Sequence, residues 1–340
     1  MSSEISTFHH EKKFNHLFLT GIVILIILFG TMLAWALHYK PGSGQPWRIG
    51  ITNWPGFDYL YLAQQKGFFK ENGLNLVLIP INSINDIRNT YERGQIDGYT
   101  GSIMDVVESV QQSNVPSRIM LVSDYSNGAD HLLSDPSITT IAGLKGKRVG
   151  VEIISPRSRY MLERALEGSG ITQNDITIAP GNQTILTDLA RHKALDSIIT
   201  YEPFSSQVQA THPMQVLFDS SRIPREIVDV IAVSPEMEKQ VPDLSKRLQQ
   251  AWQGAMDYTT AHPAEVHAIF AQRYGMSVSQ YENISKDVSI FDIASMQRLA
   301  NSDSLYNTIA RISAMAPASQ NLTQAEISRT VAIWYQKESE

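Results

Sequence analysis

The feature that most constrains this chain is an apolar run near its N-terminus. From Leu17 to Leu37 the sequence holds 21 residues without a charged side chain. At about 1.5 Å per residue, a helix of this length crosses a hydrocarbon core of roughly 30 Å. A buried core helix would show a polar stripe, and this run shows none. The sequence therefore predicts a membrane-spanning helix over 17–38.

A cleaved signal peptide is the alternative interpretation of the same run. Ala34-Trp35-Ala36 has the small-x-small form of a cleavage site, but the apolar run is longer than the roughly 7 to 15 residues of an ordinary signal peptide. We therefore expect an uncleaved anchor, with a short cytoplasmic N-terminus over 1–16 and a linker over 39–46. The globular remainder is expected outside the cytoplasm, on the periplasmic side of a bacterial inner membrane.

Composition excludes several classes of protein and site. The chain has no cysteine, so it has no disulfide, thiolate metal site, cysteine nucleophile or lipid-carrying cysteine. The formal net charge is −6, and without a basic footprint we expect no nucleic-acid partner. The histidines form no H-E-x-x-H pattern and no G-x-S-x-G string occurs, so neither a metal, a cofactor nor a catalytic residue is predicted.

Strand-like and helix-like segments alternate after the linker. Strand patterns at 47–52 and 74–80 enclose a helix-like stretch, and the segment 144–204 repeats the alternation as a second block. The remainder, from about Pro235, is mostly helical in pattern. Such alternation is typical of parallel α/β sheets, and two blocks suit two lobes with a ligand site in the cleft between them.

Five strings in the two blocks carry a resemblance to a known family. They are NWPGFDYLYLAQQKGFFKENGL (53–74), DGYTGSIMD (97–105), DYSNGAD (124–130), LKGKRVGVE (144–152) and ALDSIITYEPF (194–204). In their order and spacing they resemble the periplasmic substrate-binding proteins of ABC importers, of the nitrate, sulfonate, taurine and thiamine-precursor type. The resemblance covers roughly residues 47 to 235.

This resemblance implies an α/β, two-lobed periplasmic-binding-protein fold of type 2 that closes by a hinge. Lobe 1 would comprise 47–124 plus 213–340, with a helical C-terminal part, and lobe 2 would comprise 125–212. The two connecting segments, near 124–127 and 204–214, would absorb the change of dihedral angles on closure.

Candidate ligand contacts in the first lobe follow its strands. Asn53 and Trp54 come after the first strand, at the end where open α/β sheets bind ligands. Trp54 offers a flat apolar wall, unless it belongs to the core, and Asn53 offers both a donor and an acceptor. Tyr59 is a further candidate in the next helix. Gly101 and Ser102 precede a helix whose free amides suit an anionic head group, although Ser102 also fits a simple cap.

The second lobe repeats this arrangement. Ser155 and Ser158 flank the start of a helix with proline at its first position, and the resembling proteins place hydroxyls and amides here against the ligand. Arg157 is interpreted as a solvated surface arginine. Tyr201 and Glu202 follow an apolar strand. A carboxylate is costly to desolvate, so Glu202 is either paired within the protein or, as in the resembling proteins, meets a ligand amine.

Asp124 and Ser126 lie where the chain crosses between the predicted lobes. Hinge structure and ligand contact are both open for these two residues.

We therefore predict an extracytoplasmic receptor that closes on a small polar organic ligand and passes it to an ABC permease. The ligand is expected to be sulfonate- or taurine-like or aminopyrimidine-like, and Glu202 favours taurine-like or aminopyrimidine-like molecules over nitrate. The alternative is a membrane-anchored sensor that presents the same binding domain to a signalling partner. An enzyme is a third hypothesis, since pyrimidine-precursor synthesis occurs among the resembling proteins, but the absence of cysteine counts against it. The chain is predicted not to be an enzyme.

Overall fold

The computed structural model describes residues 44–331, apart from positions 82, 114, 301–303 and 316–320. The predicted anchor at 17–38 and the predicted cytoplasmic N-terminus lie outside these described residues. Among the residues described, no helix is both long enough and apolar enough to cross a membrane.

The strands form two separate sheets. They are β1 (Trp47–Ile51), β2 (Leu76–Pro80), β3 (Gly98–Ser102), β4 (Arg118–Ser126), β5 (Asp130–Ser134), β6 (Arg148–Val151), β7 (Thr177–Pro180), β8 (Ser197–Tyr201), β9 (Gln215–Asp219), β10 (Val228–Val233) and β11 (Val288–Ile290). The first sheet has the order β11-β4-β10-β3-β1-β2, and the second has the order β7-β6-β8-β5-β9. We call the parts of the chain built on these sheets lobe 1 and lobe 2.

Helices follow most of the strands. They are α1 (Asp58–Lys66), α2 (Phe68–Glu71), α3 (Ile84–Glu92), α4 (Ile103–Glu108), α5 (Pro156–Leu166), α6 (Gln183–Arg191), α7 (Phe204–Gln209), α8 (Pro235–Gln240), α9 (Leu244–Ala261), α10 (Pro263–Tyr274), α11 (Val278–Ser285), α12 (Ile293–Ala300), α13 (Ser304–Ala314) and α14 (Gln324–Val331). Short 3₁₀ turns lie at Pro55–Phe57, directly before α1, and at Ser220–Arg222, directly after β9.

Each sheet combines parallel strands with antiparallel return strands. In lobe 1, β1 pairs in parallel with β2 and β3, whereas β10 runs antiparallel between β3 and β4. In lobe 2, β6 pairs in parallel with β7 and β8, and β5 is antiparallel to β8 and β9. The sequence pattern predicts the six parallel strands and also, from the strand-like run at 118–124, the antiparallel strand β4. The pattern does not predict the antiparallel strands β5, β9, β10 and β11.

Because of these antiparallel strands, the segments that cross between the lobes differ from the predicted ones. β9 belongs to the second sheet, so lobe 2 extends past the predicted boundary at residue 212. The chain crosses at 127–129 and again at 220–227, not within 204–214, where α7 occupies the first part. Ser126 and Ser220 join the two crossings, because their Oγ atoms lie 2.7 Å apart. The Oγ of Ser220 also accepts a hydrogen bond from the backbone N–H of Gly128 at 2.8 Å.

Candidate ligand-binding site

A cavity of about 300 Å³ lies between the two lobes. Lobe 1 supplies the turn that follows β1 and one residue from the end of α10, while lobe 2 supplies the first turns of α5, α6 and α7. The lining residues are Thr52, Asn53, Trp54, Phe57, Arg157, Thr184, Tyr201, Pro203, Phe204, Gln207 and Tyr274. Two of the walls are aromatic, since the rings of Trp54 and Tyr201 meet edge to face at 6.4 Å.

The indole of Trp54 is fixed from behind by a buried carboxylate. Its Nε1 donates to Oδ1 of Asp124 at 3.0 Å, and the hydroxyl of Ser123 donates to Oδ2 at 2.7 Å. Gly56 lets the backbone of the turn approach this carboxylate, because a Cβ at that position would clash with it. Asp124 therefore orients the aromatic wall and does not itself line the cavity.

Arg157 is the buried cation of the site. It is 3 % exposed, which corrects the interpretation of a solvated surface arginine. Its guanidinium forms an ion pair with Asp229 on β10 of lobe 1 and lies 3.9 Å from Asp130 on β5 of lobe 2. It also lies over the rings of Trp54 and Tyr201, at 5.2 and 5.9 Å from their centroids. A single side chain thus links both lobes and both aromatic walls.

A second ion pair joins the lobes outside the cavity. Arg159 of α5 donates to Glu108 of α4 at 2.6 Å, and Glu108 also accepts from Arg88 at 2.5 Å.

Several buried carboxyl groups surround Arg157 and outnumber this one buried cation. Asp124 and Asp229 are paired across neighbouring strands and are fully buried, and Asp105, Asp130 and Glu152 are also buried. Burial raises the pKa of Asp124 to about 6, against the opposing bonds from Ser123 and Trp54. Burial likewise raises the pKa of Glu152 to about 7, and the charge of Asp105 adds to it. The pKa of Asp229 is also raised by burial, despite Arg157.

Several buried polar atoms of the two lobes have no hydrogen-bond partner within the described chain. They include Thr100 Oγ1, Asp105 Oδ1, Asp130 Oδ2, Arg157 Nε, Ser158 Oγ and Asp229 Oδ2, and of these residues only Arg157 lines the cavity. Buried polar groups are normally paired, so each such atom requires an explanation. Their charges bear on the cavity, because Asp105 and Asp130 both raise the pKa of the Tyr201 phenol, although burial is the larger cause.

Among the predicted contacts, three line the cavity and five are buried outside its lining. Asn53, Trp54 and Tyr201 are lining residues. The five buried residues are Gly101, Ser102, Asp124, Ser155 and Ser158, of which Asp124 contacts the lining through Trp54. Ser102 caps α4 in a capping box with Asp105, and Ser155 caps α5 by accepting from the backbone N–H of Ser158 at 3.4 Å.

The remaining three predicted contacts have other partners. Tyr59 packs against Trp252 at 5.3 Å and Phe270 at 5.9 Å, within the core of lobe 1. Ser126 belongs to the crossing between the lobes. Glu202 accepts from the backbone N–H of Ser206 at 3.4 Å, in the first turn of α7. None of these three lines the cavity.

Sequence reasoning missed other lining residues. Thr184, Phe204 and Gln207 occupy the first turns of α6 and α7, which follow strands as Trp54 does, so their place after a strand was an available signal. Tyr274 comes from the C-terminal helices, where the sequence carries no motif for a site. In the described chain, no group of three or more histidine or acidic side chains is arranged to hold a metal ion.

Two α/β lobes around an interlobe cavity define the fold of the periplasmic binding proteins. The structure is similar to that of the periplasmic aliphatic sulphonate binding protein SsuA from Escherichia coli, with a TM-score of 0.69 and 16 % sequence identity over 86 % of this chain and 100 % of that one. The chain belongs to the NMT1/THI5-like family, whose model matches residues 54–266. The predicted resemblance to binding proteins of this type is confirmed.

Two curated relatives correct one prediction. The chain is 24 % identical to 4-amino-5-hydroxymethyl-2-methylpyrimidine phosphate synthase of Aspergillus parasiticus over 236 residues, which is 63 % of this chain and 67 % of that protein. It is 27 % identical to the synthase THI5 of Saccharomyces cerevisiae over 131 residues, 37 % of this chain and 38 % of the yeast protein. The prediction that the chain is not an enzyme is wrong, because these relatives are named as enzymes.

Proposed function

We propose that this chain binds a small organic molecule with an amino group on a planar ring, of the aminopyrimidine class, and delivers it for import. The observation that carries the proposal is the pair of aromatic walls, Trp54 and Tyr201, set against a shell of buried carboxyl groups. A planar ring can stack on an aromatic side chain that lines the cavity. An amino group needs acceptors, and carboxylate oxygens supply them.

The balance of charge favours an amino-bearing ligand over a simple anion. Arg157 is already paired with Asp229, so an anion would have to share it. Asp105 and Asp130 each have one oxygen without a hydrogen-bond partner in the described chain. Their negative charge, which acts on Tyr201 in the cavity wall, favours a ligand that donates hydrogen bonds, whereas nitrate or an alkanesulfonate has no donor to offer.

Import by an ABC permease is the proposed role. The fold is shared with a sulphonate binding protein of the periplasm, and the apolar run at 17–38 would anchor the domain on the extracytoplasmic face of the inner membrane. A sensor that presents the same domain to a signalling partner remains the alternative role for the same site.

A synthase activity is the second candidate. It is favoured by the match to the Aspergillus protein across 236 residues and by the match of the family model to residues 54–266, a range that contains Trp54, Arg157 and Tyr201. On this proposal the cavity would hold the pyrimidine as it is made, and the same residues would serve both functions.

A thermal-shift panel on the full-length protein in detergent tests these proposals. The probes are 4-amino-5-hydroxymethyl-2-methylpyrimidine, its phosphate ester, taurine, ethanesulfonate and nitrate. We expect the two pyrimidines to stabilise the protein, by about 2.7 kcal/mol at 100 times the dissociation constant. Stabilisation by ethanesulfonate or nitrate alone would contradict the ligand class, and a flat panel would contradict a receptor for such solutes.

Mass spectrometry separates the two roles. If the protein is a synthase, pyrimidine phosphate should appear in the denatured supernatant of protein purified from cells and should be lost in the Trp54→Ala variant. Detection of the unmodified pyrimidine alone would favour binding and import.

A further inference from the structure

The C-terminal helices supply one wall of the ligand cavity. Tyr274, the last residue of α10, lines the cavity together with residues that lie more than sixty positions earlier in the chain. Helix α10 ends immediately afterwards at Gly275, whose φ of 65° is the left-handed conformation that favours glycine at a helix end. The position of this wall therefore depends on how α10 is attached to lobe 1.

Asp58 makes that attachment. It is fully buried at the start of α1 and accepts hydrogen bonds from three side chains of the C-terminal helices. The guanidinium of Arg273 and the hydroxyl of Tyr274, at 3.2 Å, donate to Oδ1, while the hydroxyl of Tyr281 donates to Oδ2 at 2.8 Å. One carboxylate thus holds the end of α10 and the middle of α11.

Arg273 links the same network to the edge of the cavity. Its Nη2 donates to the backbone carbonyl of Thr52 at 2.7 Å, and Thr52 is a cavity residue. The network therefore reaches the cavity at two points, Thr52 and Tyr274, although Asp58 itself does not line it.

Two tyrosines of this network form a matched pair. Tyr274 and Tyr281 both donate to Asp58, their rings lie 5.6 Å apart, and the shorter bond belongs to Tyr281. Only Tyr274 of the two lines the cavity. A role in stability alone would make Tyr281 at least as important as Tyr274.

We propose that Asp58 is a positioning residue for ligand binding, which fixes Tyr274 and the Thr52 carbonyl as walls of the cavity and so makes the C-terminal end of α10 part of the binding site. The inference rests on the proposed function, because it assigns a role in binding at that same site. Tyr274 is the ligand contact, and Asp58 acts through it.

The test compares Tyr274→Phe with Tyr281→Phe in the full-length protein, using 4-amino-5-hydroxymethyl-2-methylpyrimidine as the probe. Each variant keeps an aromatic ring and loses one hydrogen bond to Asp58. We expect Tyr274→Phe to raise the dissociation constant at least fivefold, and Tyr281→Phe to change it less than twofold while lowering the melting temperature by an equal or larger amount. Equal effects of the two variants on affinity, or no effect of either, would overturn the inference.

Hydrogen–deuterium exchange of the ligand-free protein separates this inference from the proposed function. We expect Asp58→Asn to speed the exchange of the peptide covering 52–58 at least tenfold, and Tyr281→Phe to leave it within twofold of wild type. If the exchange rate of this peptide is unchanged in Asp58→Asn, the positioning role is overturned, whether or not the probe binds. If the wild-type protein binds no probe but the peptide 52–58 exchanges faster in Asp58→Asn, the proposed function is contradicted. The network would then still link Asp58 to the edge of the cavity.

Discussion

Two buried arginine–aspartate clusters in this protein differ in how completely their hydrogen bonds are satisfied. In the Asp58 cluster, Asp58 is bonded by Arg273 and by two tyrosines, all within lobe 1. In the Arg157 cluster, Arg157 bridges Asp229 of lobe 1 and Asp130 of lobe 2. Each cluster holds one buried guanidinium. Of these two clusters within the described chain, only the Arg157 cluster leaves charged groups with atoms that have no hydrogen-bond partner.

The contrast indicates what each cluster is for. A buried charge that is fully bonded stabilises one arrangement of the chain, and the Asp58 cluster fastens two helices to the first sheet. Buried atoms without partners are costly in a protein that binds nothing. At the Arg157 cluster, Arg157 itself lines the cavity, and on the proposed function a ligand would supply the hydrogen bond that its Nε lacks.

The largest effect on stability is expected from a substitution that breaks the Asp58 cluster. Asp58→Ala removes the acceptor of three donors and leaves the Arg273 guanidinium buried without its carboxylate. We expect the free energy of unfolding to fall by about 3–5 kcal/mol, measured by urea denaturation at pH 7.5. Asp188→Ala, at an exposed site on α6, is the control and should change stability by less than about 0.5 kcal/mol. A loss of the same small size at Asp58 would refute its structural role.

Removing the cation of the other cluster should cost less, and the cost should depend on pH. Arg157→Met leaves Asp229 and Asp130 without a cation, but Asp229, whose pKa burial already raises, can take up a proton instead. We expect a loss of about 3 kcal/mol at pH 8 and a clearly smaller loss at pH 5, from denaturation curves at both values. A loss independent of pH would mean that the carboxylates do not depend on Arg157.

The wild-type protein should itself become less stable as the pH rises from 5 to 8. Burial raises the pKa of Asp58 and of Glu152 to about 7 and the pKa of Asp124 to about 6. The folded state therefore keeps protons that the unfolded chain has already lost, and this stabilisation disappears as the pH passes through the folded-state values. We expect the free energy of unfolding to fall by at least about 2 kcal/mol in total. A stability that is flat or rising across this interval would contradict the raised values.

The smallest effects are expected from two serines of α5 and its cap, of which Ser155 caps the helix and Ser158 has a hydroxyl without a hydrogen-bond partner in the described chain. Ser155→Ala removes the cap of α5 and should lower stability by about 1 kcal/mol without changing affinity for the pyrimidine probe. Ser158→Ala removes a hydroxyl that makes no hydrogen bond in the described chain. We expect it to leave stability within about 0.5 kcal/mol and to weaken probe binding about five- to tenfold, measured by melting and by calorimetric titration. The reverse pattern would assign Ser158 to the fold.

Parallel strands and the residues that follow them could be predicted from the sequence, because their signal is local. Trp54 lies three residues after β1, and Tyr201 is the last residue of β8. The strand β10 was missed although all six of its residues are buried, since its partners β3 and β4 lie about a hundred residues earlier and nothing near it marks its place in the sheet.

The rest of the site depends on such distant partners. Arg157 is buried because Asp229 faces it from β10, 72 residues later in the chain, and Tyr274 reaches the cavity because Asp58, 216 residues earlier, holds it. No spacing rule connects residues at these separations. Distant pairing also explains why the crossing between the lobes was predicted at 204–214 but lies at 220–227. β9 could not be assigned to a sheet before its partner β5 was known.

Calorimetric titration of 4-amino-5-hydroxymethyl-2-methylpyrimidine into the full-length protein and its Trp54→Ala variant tests the central claim most directly. We expect one site per chain in the wild type and at least tenfold weaker binding in the variant, with circular dichroism at the same temperature confirming that the variant is folded. Equal affinities in the two proteins, or no saturable heat in the wild type, would contradict a ligand site in the cavity that Trp54 and Tyr201 line.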